Sequence, residues 1–270
     1  MPPELMRLSA LYIYAVKSCA AAARSSAIVE ARGLLHDRRW MVVDEAGRFI
    51  TAREAPRLVL LRAHPSESGL RLEAPDRAPL DVPPTTADAP RRPVIVWRDE
   101  VDAADAGDDA ARWLAALLGR PARLVHMDAT STRPVDPERA RSGDEVSFAD
   151  GYPLLVISQA SLDGLNERLA APLPMQRFRP NLVIEGATPH AEDDWRRVRI
   201  GELELECVKP CLRCVLTTVD PARGELDPRG EPLRTLNTYR RRPGGVTFGV
   251  NLIARGLGTL RVGDLVEVLE

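Results

Sequence analysis

KPCLRCVLTTVDP, residues 209–221, sets two cysteines three apart in front of a run rich in β-branched residues. A thiol pair of that kind can hold a metal, exchange a disulfide or simply pack. A closed structural zinc site takes four ligands and would show two such pairs. Here there is one, Cys211 with Cys214, and Cys207 alternates with Leu203 and Leu205 as a small buried hydrophobe in a strand would. A thioredoxin-type pair opens a helix, whose dipole lowers the thiol pKa, and VLTTVDP is a poor helix start. Pro210 and Arg213 bracket the pair, and a guanidinium beside Cys214 favours the thiolate, the form that ligates metals. Locally, metal, redox and packing roles all stay open.

The rest of the chain narrows the setting. With 44% hydrophobic and 28% charged residues over 270 positions, it can bury one large core or two smaller ones. Its 37 basic and 39 acidic side chains leave a net charge of -2, so no footprint for nucleic acid or an anionic membrane stands out, and any anion site must be local. Aromatics at 4%, with 23 prolines and 18 glycines, favour many short elements joined by turns. Cysteines at 19, 207, 211 and 214 are too few for a secreted disulfide framework, which points to a reducing cytoplasm. Arg7 followed by LSALYIYAV and CAAAA imitates a signal peptide, but LYIYAVK alternates like a strand and Lys17 interrupts the apolar run, so export is not expected. No stretch approaches the ~20 apolar residues of a membrane span.

Short strands are expected at LSALYIYAV and RRWMVVDEAGRFITA, with a hairpin in RLVLLRAHPSESGLRLEA. Residues 73–93, with six prolines, read as an irregular surface connection before the strand VIVW at 94–97. DDAARWLAALLG, 108–119, is a helix with acidic residues at its start and Gly119 and Pro121 as its stop. The long polar segment 129–149, with Arg133, Arg139 and Arg141, is expected to be a mobile rim of a binding site. YPLLVIS is a buried strand, SQASLDGLNERLA a helix with hydroxyls at its N-terminus, and NLVIEG, RRVRIGELELECVKP and TLRVGDLVEVLE are further strands. The sum is a β-rich α+β chain with two helices of note, barrel-like, in two halves meeting near residue 125.

In this context the cysteine stretch resembles the signature of the MOSC domain, found in molybdenum cofactor sulfurases and amidoxime-reducing components. LYIYAVKSC, HDRRWMVVD and TAREAPRLVLL resemble the β-barrel domain that precedes MOSC in that subfamily. SQASLDGLNERL, RFRPNLVIEG, AEDDWRRVRIGELEL and GDLVEV match in the right order, so the resemblance covers nearly the whole chain. It implies an N-terminal MOSC-type barrel over 1–125 and a MOSC domain over 126–270, with a molybdenum cofactor between them.

The resemblance assigns the metal thiolate to Cys214, the cysteine after Arg213, and leaves Cys211 as a second thiol with packing as its default. It puts the pterin and its phosphate on Lys17 and Ser18, Arg38, Arg179 and Asn181, with Arg213 in contact, and Ser158 and Ser161 serving the pocket or capping a helix. Asn251, in TFGVNLI, falls where animal amidoxime reducers carry an aromatic near the metal. The implied reaction is two-electron reduction of a small N-hydroxylated or N-oxygenated compound. Without a dinucleotide fingerprint, a haem CxxCH or a cysteine cluster for iron–sulfur, the electrons are expected from a separate flavin, haem or iron–sulfur protein. A ferredoxin-like tail after the MOSC domain is not expected. The alternative is a carrier that holds the cofactor or its sulfur without turning over substrate. A Schiff base from Lys209 to pyridoxal phosphate finds little support in a strand beside Pro210.

Overall fold

The structure, a computed structural model, describes residues 5–270. Of the expected strand LSALYIYAV, the part through Ile13 forms β1 (Arg7–Ile13) and Tyr14–Val16 lie beyond it; β2 (Ala22–Arg24), β3 (Ser26–Glu30) and β4 (Gly33–Leu34) follow. A second group runs through β5 (Trp40–Val43), β6 (Arg62–Ser66), β7 (Gly69–Glu73), β8 (Leu80–Val82), β9 (Arg91–Val96) and β10 (Asp99–Asp105) to helix α1 (Asp108–Leu118) and β11 (Arg123–His126). The remaining elements are β12 (Leu154–Ser158), α2 (Gln159–Asn166), β13 (Leu182–Glu185), β14 (Arg197–Ile200), β15 (Leu203–Leu212), α3 (Leu233–Tyr239), β16 (Arg241–Arg242), β17 (Gly245–Ala254), β18 (Gly258–Arg261) and β19 (Val266–Val268). The protein is the β-rich α+β chain its sequence announces.

The second group packs two small antiparallel sheets, β5-β11-β10-β9 and β6-β7-β8, around a core of Trp40, Val42, Leu58, Leu72, Leu114 and Leu124. Helix α1 stops where Gly119 enters the left-handed region at φ 68, as a C-terminal glycine should. Two expectations change here. RLVLL is a 3-10 turn (Pro56–Leu60) instead of the hairpin's first strand, because Pro56 opens it and Leu58 and Val59 turn into the core. The proline-rich connection is partly ordered: Leu80–Val82 pairs with β7, and Pro93 sits in β9, an edge strand where a missing N–H is tolerated.

The larger sheet runs β19-β14-β15-β17-β12-β13-β1-β2. In β12, Leu154 and Val156 face one cluster while Leu155 and Ile157 face another, so the strand is apolar throughout and buried on both sides. Arg7 bridges Leu265, and Leu8 and Asp264 share a backbone hydrogen bond, which curls this sheet toward closure. β18 pairs with β3. β1 and β2 lie in one sheet with the C-terminal strands, β3 and β4 pair with β18, and the chain between β1 and β5 crosses from one half to the other. A third helix, α3, was not expected; it buries Leu236.

Candidate functional site

The crossover after β1 and the end of β15 meet at a cleft lined from both halves of the chain. Lys17, Ser18, Arg38 and Arg53 come from the N-terminal side; Asp150, Arg179, Asn181, Cys211, Arg213, Cys214 and Asn251 come from the other. The space between these walls, open mouth included, is about 710 Å³. Ser18, Arg38 and Arg179 all adopt positive φ, at 68, 50 and 56°, a cluster of costly backbone conformations of the kind that accumulates at functional sites.

Tyr14 organises the inner wall. Its ring lies under two guanidinium groups, with Arg38 Cζ 4.5 Å and Arg179 Cζ 4.2 Å from the centroid, and its hydroxyl donates to Pro180 O at 3.0 Å. Arg38 donates to Asp37 at 2.5 Å, to Asn181 Oδ1 at 3.1 Å and to Arg179 O at 3.1 Å. Asn181 is buried; it accepts from Leu155 N and donates to Tyr12 O, so it ties β12 to β1. Burial lowers the Arg179 pKa to about 10, reinforced by Arg38, whereas Asp37 holds Arg38 up against the same desolvation. Arg179 Nη2 and Arg213 Nε are buried without an acceptor.

At the mouth, Lys17 Nζ donates to Phe148 O at 2.7 Å and Asp150 Oδ1 at 2.6 Å. Burial pulls its pKa down to about 8 despite the Asp150 carboxylate. Desolvation pushes Asp150 upward, but Lys17 and Arg53 win and hold its carboxyl well below the usual range, even though it is exposed toward the cleft. Arg53 Nη2 donates to Asp150 Oδ2 at 3.0 Å and Arg53 Nε donates to Cys214 Sγ at 3.1 Å.

That last contact corrects the expectation about the thiols. The guanidinium on Cys214 belongs to Arg53, whereas Arg213, next to Cys214 in sequence, donates through Nη1 to Cys211 Sγ at 2.7 Å and also to Phe178 O. β15 and its continuation turn successive side chains apart, so sequence neighbours need not be partners. All four cysteines are free thiols. Asn251 Nδ2 donates to Lys209 O at 3.1 Å and reaches the cleft, while Lys209 does not line it.

Lys17, Ser18, Arg38, Arg179, Asn181, Arg213, Cys214 and Asn251 therefore all line this one cleft. Ser158 and Ser161 do not line the cleft. Ser158 Oγ caps α2 by accepting from Ser161 N at 3.1 Å, and Ser161 Oγ donates to the buried Glu192 at 2.7 Å. Nor does segment 129–149 form an arginine-lined rim. Arg133 is 2% exposed, paired with Asp99 and donating to Ser147 O and Ala149 O, while Arg141 pairs with Glu206 beside a separate depression also lined by Arg139. Of that segment only Ala149 reaches the cleft, continued there by Asp150, Gly151 and Tyr152. Sequence reasoning missed Arg53 and Asp150. Arg53 lies within TAREAPRLVLL, but a single charge beside a turn carries no spacing signal of its own.

The cleft suits an anionic, many-edged ligand: cations in excess, two carboxamides, two arginine nitrogens lacking acceptors, and the soft thiols of Cys211 and Cys214. Among the described residues no cluster of three or more His, Cys, Asp and Glu could hold a metal unaided, so a metal at Cys214 would need further ligands from another group. No helix among those residues is long and apolar enough to cross a membrane.

Comparison with known proteins matches the MOSC N-terminal beta barrel domain to residues 5–121 and the MOSC domain to residues 143–267. Mitochondrial amidoxime-reducing component 1 of Mus musculus is 40% identical, across 96% of this chain and 81% of that protein. Its Homo sapiens counterpart is 38% identical, across 96% and 82%, and that of Xenopus laevis 36%, across 95% and 80%. The chain thus belongs to the MOSC-domain family in which a MOSC N-terminal β-barrel precedes the MOSC domain, the family that includes the amidoxime-reducing components.

Proposed function

We propose that this protein is a molybdenum cofactor-dependent reductase of small N-hydroxylated or N-oxygenated compounds, fed with electrons by a separate carrier protein. The observation that carries the reading is the convergence, from both halves of the chain, of two arginine-paired thiols, Cys214 and Cys211, and a cationic wall on a single cleft. The relatives' names as amidoxime-reducing components supply the substrate class.

Cys214 would be the protein's ligand to the metal, with Lys17, Arg38 and Arg179 holding the anionic end of the pterin and Asn181 reading its hydrogen-bonding edge. Bound there, the cofactor supplies the two-electron chemistry that no side chain can. The chain's own contribution is orientation and electrostatics. Arg53 bridges Cys214 and Asp150, so it fixes the thiol and the carboxylate relative to each other. Asp150 stays ionised and offsets part of the positive charge, which keeps Lys17 and Arg53 in place at the mouth. Reduction consumes two electrons and two protons per N–O bond and releases water.

The cytoplasmic location expected from the sequence is part of this proposal, the relatives being named as mitochondrial. The test is purification from a cofactor-competent host, measurement of molybdenum and pterin per chain, and assay of benzamidoxime with a chemical reductant. Stoichiometric metal with turnover is expected; metal without turnover would favour the carrier reading, and no metal would overturn both. With a protein electron donor, activity should fall as salt rises while activity with the chemical reductant changes little, because transient encounters are small and charge-steered. Steady NAD(P)H-dependent turnover by the chain alone would refute the need for a carrier.

A further inference from the structure

The β9–β10 hairpin pairs Val96 with Asp99, which leaves Trp97 and Arg98 as a two-residue turn. Trp97 takes φ 59 at the first turn position, where glycine is the ordinary choice and a bulky side chain is strained. Nothing in the hairpin's own packing demands it, since the side chain is 47% exposed, in contrast to the buried Trp40 and Trp195 and the partly buried Trp113. Strain and exposure together mark a residue held for something outside the fold.

What holds it is the cleft. Arg53 Cζ lies 4.6 Å from the indole centroid, and the same guanidinium donates to Cys214 Sγ. The indole Nε1 donates to Asp150 Oδ1 over 3.4 Å, and the Phe49 ring supports it at 5.2 Å. The indole is thus one guanidinium away from the thiol. The walls deeper in are charged and suited to an anion, whereas this surface is apolar, rigid and flat. Leu212, two residues before the thiol, is 45% exposed, lines the cleft and adds apolar surface there. A neutral substrate whose reacting N–O group is conjugated to a ring would find its partner here, since offset aromatic stacking favours such contacts beyond the area they bury.

We propose that Trp97 is the surface that recognises the planar, conjugated part of the substrate, so that aryl and heteroaryl N-oxygenated compounds are preferred over small aliphatic ones; this rests on the reductase reading above. The test compares benzamidoxime with acetamidoxime on cofactor-loaded wild type, Trp97→Gly and Trp97→Phe. Trp97→Gly suits the turn's backbone, so its melting temperature should stay close to that of wild type. Its ratio of kcat/KM for benzamidoxime over acetamidoxime should fall about fivefold, through KM and not kcat, and Trp97→Phe should recover most of that ratio. Independently of turnover, titrating benzamidoxime into the loaded protein should quench a saturable part of the tryptophan emission that Trp97→Phe lacks. An unchanged ratio in Trp97→Gly, or equal quenching in wild type and Trp97→Phe, overturns the proposal. If wild type reduces neither compound, the reductase reading falls, and the fluorescence titration still decides whether Trp97 meets the ring.

Discussion

Replacing Lys17 with Met has the most definite pH signature of any change in the cleft. The ammonium is buried, donates to Phe148 O and Asp150, and loses enough hydration that its pKa drops from 10.5 to about 8. Between those values the unfolded chain carries a proton that the folded chain has lost, so stability rises with pH, at up to about 1.4 kcal/mol per pH unit. Over the whole interval this is about 3 kcal/mol, a penalty present in full below the folded pKa and relieved as pH climbs to the unfolded one. Lys17→Met removes the titrating group. The assay is urea unfolding of cofactor-free protein, made in a host unable to synthesise the pterin, with wild type and variant in parallel from neutral pH upward. Buried Cys19 and Tyr14 and partly buried Cys207 have raised pKa values and act with the opposite sign at alkaline pH, but they are common to both proteins and cancel in the difference. Wild type should gain about 2 kcal/mol on the variant between about pH 8 and pH 10. A difference that stays flat would refute the claim that burial, rather than Asp150, governs this lysine. In loaded protein, an anion against Nζ should restore the charge and flatten the same curve.

Cys214→Ser should abolish metal retention while Cys211→Ser keeps most of it, by elemental analysis and pterin fluorescence; equal losses would contradict a single protein thiolate. Arg53→Met should lower metal affinity at least about tenfold without altering the circular dichroism spectrum, since it strips the thiol of its outer-shell partner, and full occupancy would show the contact to be idle. Ser158→Ala should cost about 1–2 kcal/mol of unfolding free energy, for a lost cap beside buried Glu192, with cofactor content unchanged. Cofactor loss without loss of stability would return Ser158 to the pocket.

Much of this protein is written in local pattern. The alternation in LSALYI, the doubly apolar LLVIS and the Asp-to-Gly frame of 108–119 each specify an element through near-neighbour sterics and one-sided burial, and each forms where expected. Motif residues such as Lys17, Arg38, Arg179 and Cys214 were legible as a set because their resemblance to a family stood in for the missing third dimension. What the sequence left undecided is which groups touch. Arg213 adjoins Cys214 along the chain yet serves Cys211, while Arg53, 161 residues away from Cys214, supplies its guanidinium. Ser158 and Ser161 sit beside a motif strand yet spend their hydroxyls on a helix cap and Glu192. Arg133 looked like a mobile charge and is instead a buried clamp. Periodicity reports what each residue does to its own element. Which charge meets which thiol is set by the packing of distant segments, and only the folded structure brings the 51–54 turn within hydrogen-bonding reach of Cys214 and Asp150, and Lys17 within reach of Asp150.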